Sequence, residues 1–298
     1  MERFTTTPVA LKTSFLIYIL AYFLALGVAF VPLYLLQHLH PVLTLLAADI
    51  AATLVIYLFS RFFSNASFYD AYWSVAPMAI AVYWVFAAPF NATALRHVVV
   101  VTLVFAWGLR LTWNWARQWQ GLKHEDWRYR QLRKSTGGWF WLVELAGIEM
   151  MPTLVVFLGC LALYPALSAG GNPFGMFDIA ALILVTAAIG IEATADEQLR
   201  QFSEQKFNDA EVMSQGLWAY SRHPNYLGEV MFWWGLFLFA LASDTGYYWT
   251  VIGPIVITLL FTLISIPLME KRNLARRPAY GDYMRRIPAL LPWLSSKQ

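Results

Sequence analysis

The chain has 298 residues, of which 59% are apolar and 13% charged, against about a quarter charged in soluble domains, and its mean hydropathy is +0.53. That balance excludes a soluble globular enzyme, and a net charge of +3 with no basic patch outside membrane-flanking loops excludes a nucleic-acid partner. The single cysteine, Cys160, excludes an intrachain disulfide.

Eight apolar runs are long enough to approach a bilayer core of about 30 Å: 14–36, 42–63, 72–90, 95–115, 140–167, 177–195, 226–242 and 247–269. The expected fold is all-α, a polytopic integral membrane bundle of seven or eight helices. The third and sixth runs are short, and one of them is a candidate re-entrant or interfacial segment. The first run is too long for a signal-peptide core and reads as a retained span. No soluble domain fits in the remainder, so residues 1–298 read as a single membrane domain, with 14–138 and 139–298 as its two parts.

Arg3 and Lys12 precede the first run and Arg61 follows the second. Arg117, Lys123, Arg128, Arg130, Arg133 and Lys134 follow the fourth, and Arg200, Lys206 and Arg222 follow the sixth. Lys271, Arg272, Arg276, Arg277, Arg285, Arg286 and Lys297 occupy the tail. The alternate loops, near His38, Asn91, Gly170 and Asp244, hold almost no Lys or Arg, with Arg96 the exception. The positive-inside rule then places both termini in the cytoplasm.

Several polar groups interrupt this pattern. The stretch Asn65–Ser74 sets Asp70 among Tyr69, Tyr72 and Trp73, which suits either an aromatic interface belt or a substrate-facing acid. Arg110, Asn114 and Arg117 recur at helical spacing. Snorkelling explains Arg117, whereas Asn114 and Arg110 lie about one and two turns deeper and should face an interior. The basic loop His124–Arg130 suits a phosphate-bearing cofactor and anionic membrane lipids equally. Glu149 lies within an apolar run, followed by Pro152 as an expected kink, and is a candidate for a substrate cavity. Glu192, Asp196 and Arg200 stand four apart, a spacing that by itself predicts an intrahelical ion pair.

The densest signal is Gly216-Leu217-Trp218-Ala219-Tyr220-Ser221-Arg222-His223-Pro224-Asn225-Tyr226-Leu227-Gly228-Glu229. Pro224 lacks a backbone N–H and suits the first turn of a helix, while it pushes His223 out of helical geometry. Asn225 and Glu229 then share a face, with Gly228 leaving room beside them for another backbone or a ligand. In the tail, Glu270-Lys271-Arg272 and Tyr280-x-x-Tyr283 are followed by Ile287-Pro288 and Leu291-Pro292-Trp293. The histidines have no metal-ligand spacing, and Gly-x-Gly-x-x-Gly and Gly-x-Ser-x-Gly are absent.

The string from Arg222 to Glu229, with the tail, resembles the C-terminal signature of the steroid 5-alpha-reductases, the sterol C14 and C7 reductases and the isoprenylcysteine carboxyl methyltransferases. Asn225 together with Glu229 resembles the reductase branch. The resemblance implies an NADPH-dependent reductase of an activated C=C bond in a lipophilic, steroid-like or isoprenoid-like substrate. Residues 139–298 would hold the cofactor and the N-terminal part the substrate. It implies cofactor contacts from Arg110, Asn114, Arg117, Asp196, Arg200, Tyr220, Arg222, His223, Asn225, Tyr226, Glu229, Glu270, Arg272, Tyr280 and Tyr283, and no metal. It also implies a bacterial inner-membrane setting. Glu192 stands where those reductases tend to carry Asn, and their His-rich stretch near Glu270 is missing. Their substrate-binding Glu–Tyr pair has no clear counterpart in this sequence. Trp107 lies near the tyrosine's place, and Asp70, Tyr69, Tyr72 and Glu149 are substitutes by chemistry, with Asp70, Tyr72 and Glu149 the catalytic candidates. The alternatives are an S-adenosylmethionine-dependent lipid or prenyl methyltransferase and a non-enzymatic membrane lipid-binding protein.

Overall fold

The computed structural model describes residues 11–87, 94–205 and 210–292. Arg3, Asn91, Lys206, Trp293 and Lys297 of the sequence reading, and the end of the run 72–90, lie outside the described residues. Among the described residues all regular structure is helical. The helices are α1 Leu11–Leu35, α2 Pro41–Phe63, α3 Tyr72–Ala87, α4 Ala94–Gln118, α5 Trp127–Thr136 and α6 Phe140–Val143. They continue with α7 Met151–Cys160, α8 Met176–Gln205, α9 Pro224–Ser243, α10 Ile252–Leu260, α11 Ile266–Arg276 and α12 Tyr280–Arg286. Among the described residues seven stretches are long and apolar enough to span: α1, α2, α4, Trp127–Ala169, α8, α9 and Thr245–Arg276. The protein is therefore a polytopic helical membrane protein. The 16-residue α3 is the exception, at about 24 Å for a rise of 1.5 Å per residue.

Local chemistry sets the boundaries. Pro41 opens α2, where the His40 ring accepts the Val42 N–H, and Ser64 closes it in a left-handed conformation at φ 53°. Asp126 caps α5 by accepting from Arg128 N–H at 2.8 Å. Pro224 begins α9 as expected, with His223 non-helical at φ −138°, ψ 61°. Two stretches go beyond the sequence reading. The helix of the sixth run extends beyond its apolar residues 177–195, since α8 continues to Gln205, with Trp218 donating to the Ala195 carbonyl and Leu217 N–H to the Gln198 side chain. In the fifth run the departure from α geometry lies before Pro152, in a π-turn over Glu144–Met150.

The chain divides into two compact units. One comprises the described residues up to Tyr83 with Trp107–Cys160, and the other Trp84–Ala106 with the residues from Leu161 onward. The first unit contains the hydrogen bond between Thr53 on α2 and Thr153 on α7, and the second that between Arg96 on α4 and Asp178 on α8. In the second unit, a Cβ on Gly228 would lie 2.7 Å from the Ala188 carbonyl oxygen and from the Glu192 Cβ. The space beside Gly228 is thus occupied by the α8 backbone, the first of the two options that the sequence allowed.

Arg96, the charge that broke the loop pattern, is 1% exposed. Its guanidinium grips Asp178 with two bonds, of 2.7 and 2.8 Å, and donates to the Asn172 and Pro173 carbonyls at 2.9 and 3.2 Å. Asp178 also accepts from Gly175 N–H at 2.9 Å. It is a structural ion pair joining the starts of α4 and α8 and is satisfied on both sides.

Candidate functional site

In the first unit, α2 presents Asp49, Thr53, Ile56 and Ser60, all buried, at spacings of four, three and four, and so on one face. The π-turn brings Glu144 and Glu149, five apart, onto a common face, and Thr153 follows one turn later. A polar string results within otherwise apolar helices. Tyr72 donates to Asp49 Oδ1 at 2.9 Å. Thr53 and Thr153 share a hydrogen bond of 2.9 Å, and Thr153 and Tyr69 one of 2.8 Å. The Tyr69 and Tyr72 rings lie 5.4 Å apart. Arg61, its side chain 42% exposed, reaches the fully buried Glu144 at 3.1 Å. Glu149 is fully buried, and among the described residues neither of its carboxyl oxygens has a hydrogen-bond partner. Ser60, Glu144, Tyr22, Tyr57 and Tyr69 are polar groups close enough to act on it.

Asp70 belongs to a different assembly. The turn Ala66–Tyr69 is buried, and the His124–Arg130 segment clamps it across 59 residues of sequence. The Asn65 amide donates to the Leu122 and His124 carbonyls, Ala66 N–H to Glu125, and Asp126 N–H to the Ser67 hydroxyl. Tyr129 donates to Asp70 at 2.9 Å. Burial pushes the Asp70 carboxyl up to about 6, partly opposed by hydrogen bonds from Ser67 and Tyr129. Arg128 pairs with Asp126 and Arg133 with Glu125, so much of the basic loop is neutralised internally. The two loop motifs that stood apart in the sequence thus hold each other. On α4, Arg110 and Asn114 are half-buried and Arg117 is exposed. Trp107 is fully buried, edge-on to Trp73.

In the second unit the signature loop is bound to the tail. Gly216 takes φ 58°, and a Cβ there would lie 2.5 Å from the Gln198 side chain, so Leu217 and Trp218 dock onto α8. Glu270 accepts from Arg222 Nε at 2.7 Å and lies 3.2 Å from His223 Nε2. Arg222 also donates to the Met284 and Ile287 carbonyls. The N–H groups of Arg222 and His223 donate to the carbonyls of Pro288 and Ala289 at 2.9 and 3.1 Å. Tyr283 donates to the Trp218 carbonyl at 2.5 Å and Tyr280 packs on it, and burial pushes both phenols up, Glu270 adding to the shift at Tyr280.

The structure therefore gathers Arg222, His223, Glu270, Tyr280 and Tyr283, together with Tyr226, which stacks on His223 at 5.3 Å. Tyr220 is 67% exposed. Asn225 and Arg272 are half-buried, and among the described residues no hydrogen bond engages the Asn225 amide. Glu229, 4% exposed, accepts from Trp233 Nε1 at 2.9 Å within its own helix. On α8, Arg200 pairs with Glu204, which extends the 192–196–200 row by one more step of four, and with Glu197, which lies off that row. Asp196 is half-buried and Glu192 buried. Sequence reading missed Asp49, Thr53, Ser60, Glu144 and Thr153. The period of the polar residues along 49–60 was the available signal.

The fold and these internal polar networks define an integral membrane protein with ionisable groups set inside its helices. The chain belongs to the DUF1295 family, described as "Protein of unknown function (DUF1295)", whose profile matches residues 56–287. It is similar to "Uncharacterized protein C594.04c" of Schizosaccharomyces pombe, 27% identical over 254 residues that cover 77% of this chain and 73% of the relative. No solved structure matches.

Proposed function

We propose that the protein is an NADPH-dependent reductase of an activated C=C bond in a lipophilic, steroid-like or isoprenoid-like molecule held within the membrane. The observation that carries this reading is the buried Asp49–Tyr72 pair, bonded at 2.9 Å in the N-terminal unit. An acid–tyrosine pair is what the resemblance calls for there. When Asp49 is protonated, its carboxylic O–H can donate to the Tyr72 oxygen in place of the bond from Tyr72 to Asp49, which frees the phenol to donate to a substrate carbonyl oxygen and stabilise an enolate as it forms. The same pair can then return a proton to carbon as general acid.

The second unit offers groups suited to the cofactor. The Asn225 amide has a donor and an acceptor, which match a carboxamide. Arg272 supplies positive charge for phosphate, and Asp196 lies on the facing helix α8. When bound, NADPH supplies a hydride. The Arg222–Glu270–His223 cluster holds the signature loop against the tail and so positions Asn225 and Tyr226. In this reading Asp70 orders the substrate-side loop rather than touching the reacting atoms.

The test titrates the purified chain, in lipid nanodiscs, with NADPH and with S-adenosylmethionine, and follows NADPH oxidation across a panel of lipophilic enones. The expectation is a thermal shift with NADPH alone and turnover that falls about 10²–10⁴-fold in Tyr72→Phe and Asp49→Asn. S-adenosylmethionine binding without NADPH binding would move the protein to the methyltransferase reading. Binding of neither would move it to lipid binding. A bacterial inner-membrane location with both termini in the cytoplasm belongs to the same proposal. Seven crossings leave the termini on opposite sides of a membrane and an eighth, through α3, returns them to one side. Reporters fused at each end decide it.

A further inference from the structure

Beyond the Asp49–Tyr72 pair, the first unit contains a row of protonatable groups that leads away from it. From Asp49 to Arg61 is twelve residues along α2, about 18 Å at 1.5 Å per residue. Along this length lie Tyr72, Thr53, Thr153, Tyr69, Ser60, Glu149 and Glu144, all buried, and the row opens at the half-exposed Arg61. At one end lie two bonded groups, Tyr72–Asp49 and Thr53–Thr153–Tyr69, whose Tyr69 and Tyr72 rings are 5.4 Å apart, and at the other end is Arg61–Glu144. Glu149 stands between the two ends, fully buried, with neither carboxyl oxygen hydrogen-bonded among the described residues.

A carboxyl group so placed is far cheaper neutral than ionised. It offers one proton, and as the unbonded link it can turn toward either neighbour. Packing does not account for an acid here, since a leucine would fill the space without a desolvation penalty. An apolar interior has no bulk water, so a proton consumed in it must travel along side chains or single ordered waters.

We propose that Glu144, Glu149, Ser60, Thr153, Thr53 and Tyr69 form a proton path, opening beside Arg61, that recharges the Asp49–Tyr72 pair, with Glu149 as its gate. The proposal rests on the reading of that pair as proton donor. Reduction of C=C to CH–CH takes one hydride, from NADPH, and one proton, from the pair. The pair is then short one proton, which Glu149 restores. Glu149 is in turn reprotonated by water at the Arg61–Glu144 end, so each turnover removes one proton from that side.

The test uses the full chain in lipid nanodiscs and has an arm that requires no substrate. Infrared spectroscopy after transfer to D₂O follows the carboxylic C=O band that disappears in Glu149→Gln. The expectation is that this band exchanges at least tenfold more slowly in Glu144→Gln than in the wild type, while Thr153→Val leaves its exchange unchanged. Equal rates in Glu144→Gln, or the absence of any carboxylic band assignable to Glu149, would overturn the path. In the turnover arm, Thr153→Val should lower enone reduction about tenfold with NADPH affinity unchanged and a larger solvent deuterium effect. Unchanged turnover in Thr153→Val would overturn delivery to the pair. If the wild type neither binds NADPH nor reduces enones, the reductase reading fails by itself, because the exchange arm is scored without either.

Discussion

Arg96 and Glu149 are equally buried, at 1% and 0% exposure, and both interrupt apolar helices. Their surroundings differ completely. Arg96 has a bidentate carboxylate and two carbonyls, and its partner Asp178 has a further N–H. Glu149 has no hydrogen bond among the described residues. Burial alone therefore does not mark a functional group in this protein; the state of its hydrogen bonds does. A satisfied pair ties two helices together, whereas an unsatisfied acid is a cost that packing alone would have removed.

The sharpest way to break this comparison is to remove one partner of the satisfied pair. Asp178→Ala should destabilise the protein by about 3–5 kcal/mol, because it leaves a guanidinium buried without its counter-ion. The double variant Arg96→Met/Asp178→Leu should recover most of that loss. Denaturant unfolding in mixed micelles measures both, and a loss below about 1 kcal/mol in the single variant would remove the structural role. Gly228→Ala probes the same unit, where the new methyl would meet the Ala188 carbonyl and Glu192 at 2.7 Å. Overpacking of this kind costs about 1–3 kcal/mol, and an unchanged midpoint would show that α8 and α9 separate easily.

The opposite sign is expected at Glu149. Glu149→Leu should raise stability by about 1 kcal/mol or more, since it removes an unsatisfied polar group of similar size. A destabilised Glu149→Leu would place this residue in the same class as Arg96.

A pH-dependent effect concerns Asp70, outside the spans. Its carboxyl is raised from 3.8 to about 6, so the folded state binds a proton more tightly than the unfolded chain does. Stability should therefore increase as pH falls from above 6 toward 4, and this increment should be lost as pH rises through 6. The melting temperature of Asp70→Asn should lack that rise, and parallel profiles for the two proteins would show that another group is responsible.

Hydropathy and loop charge were enough, from sequence, to define an all-helical membrane chain, and Pro224 correctly marked the start of α9. The motif 216–229 and the tail 270–288 were both legible as strings, because each has local chemistry: a proline, a positive-φ glycine, paired tyrosines. That Arg222 and His223 bond to residues 284–289 was not legible, since hydrogen bonds across more than sixty residues leave no local period. The same limit hid the polar string of the first unit. Asp49 looks like one acid in an apolar run, and Tyr72 looks like part of an aromatic belt. A π-turn shifts Glu144 and Glu149 onto one face, and no spacing rule for an α-helix would align them. The sequence by itself determined which segments are apolar enough to enter a membrane, because that depends on composition along a single helix. Tertiary packing alone decided which buried charges are satisfied, because that depends on donors and acceptors brought from distant helices.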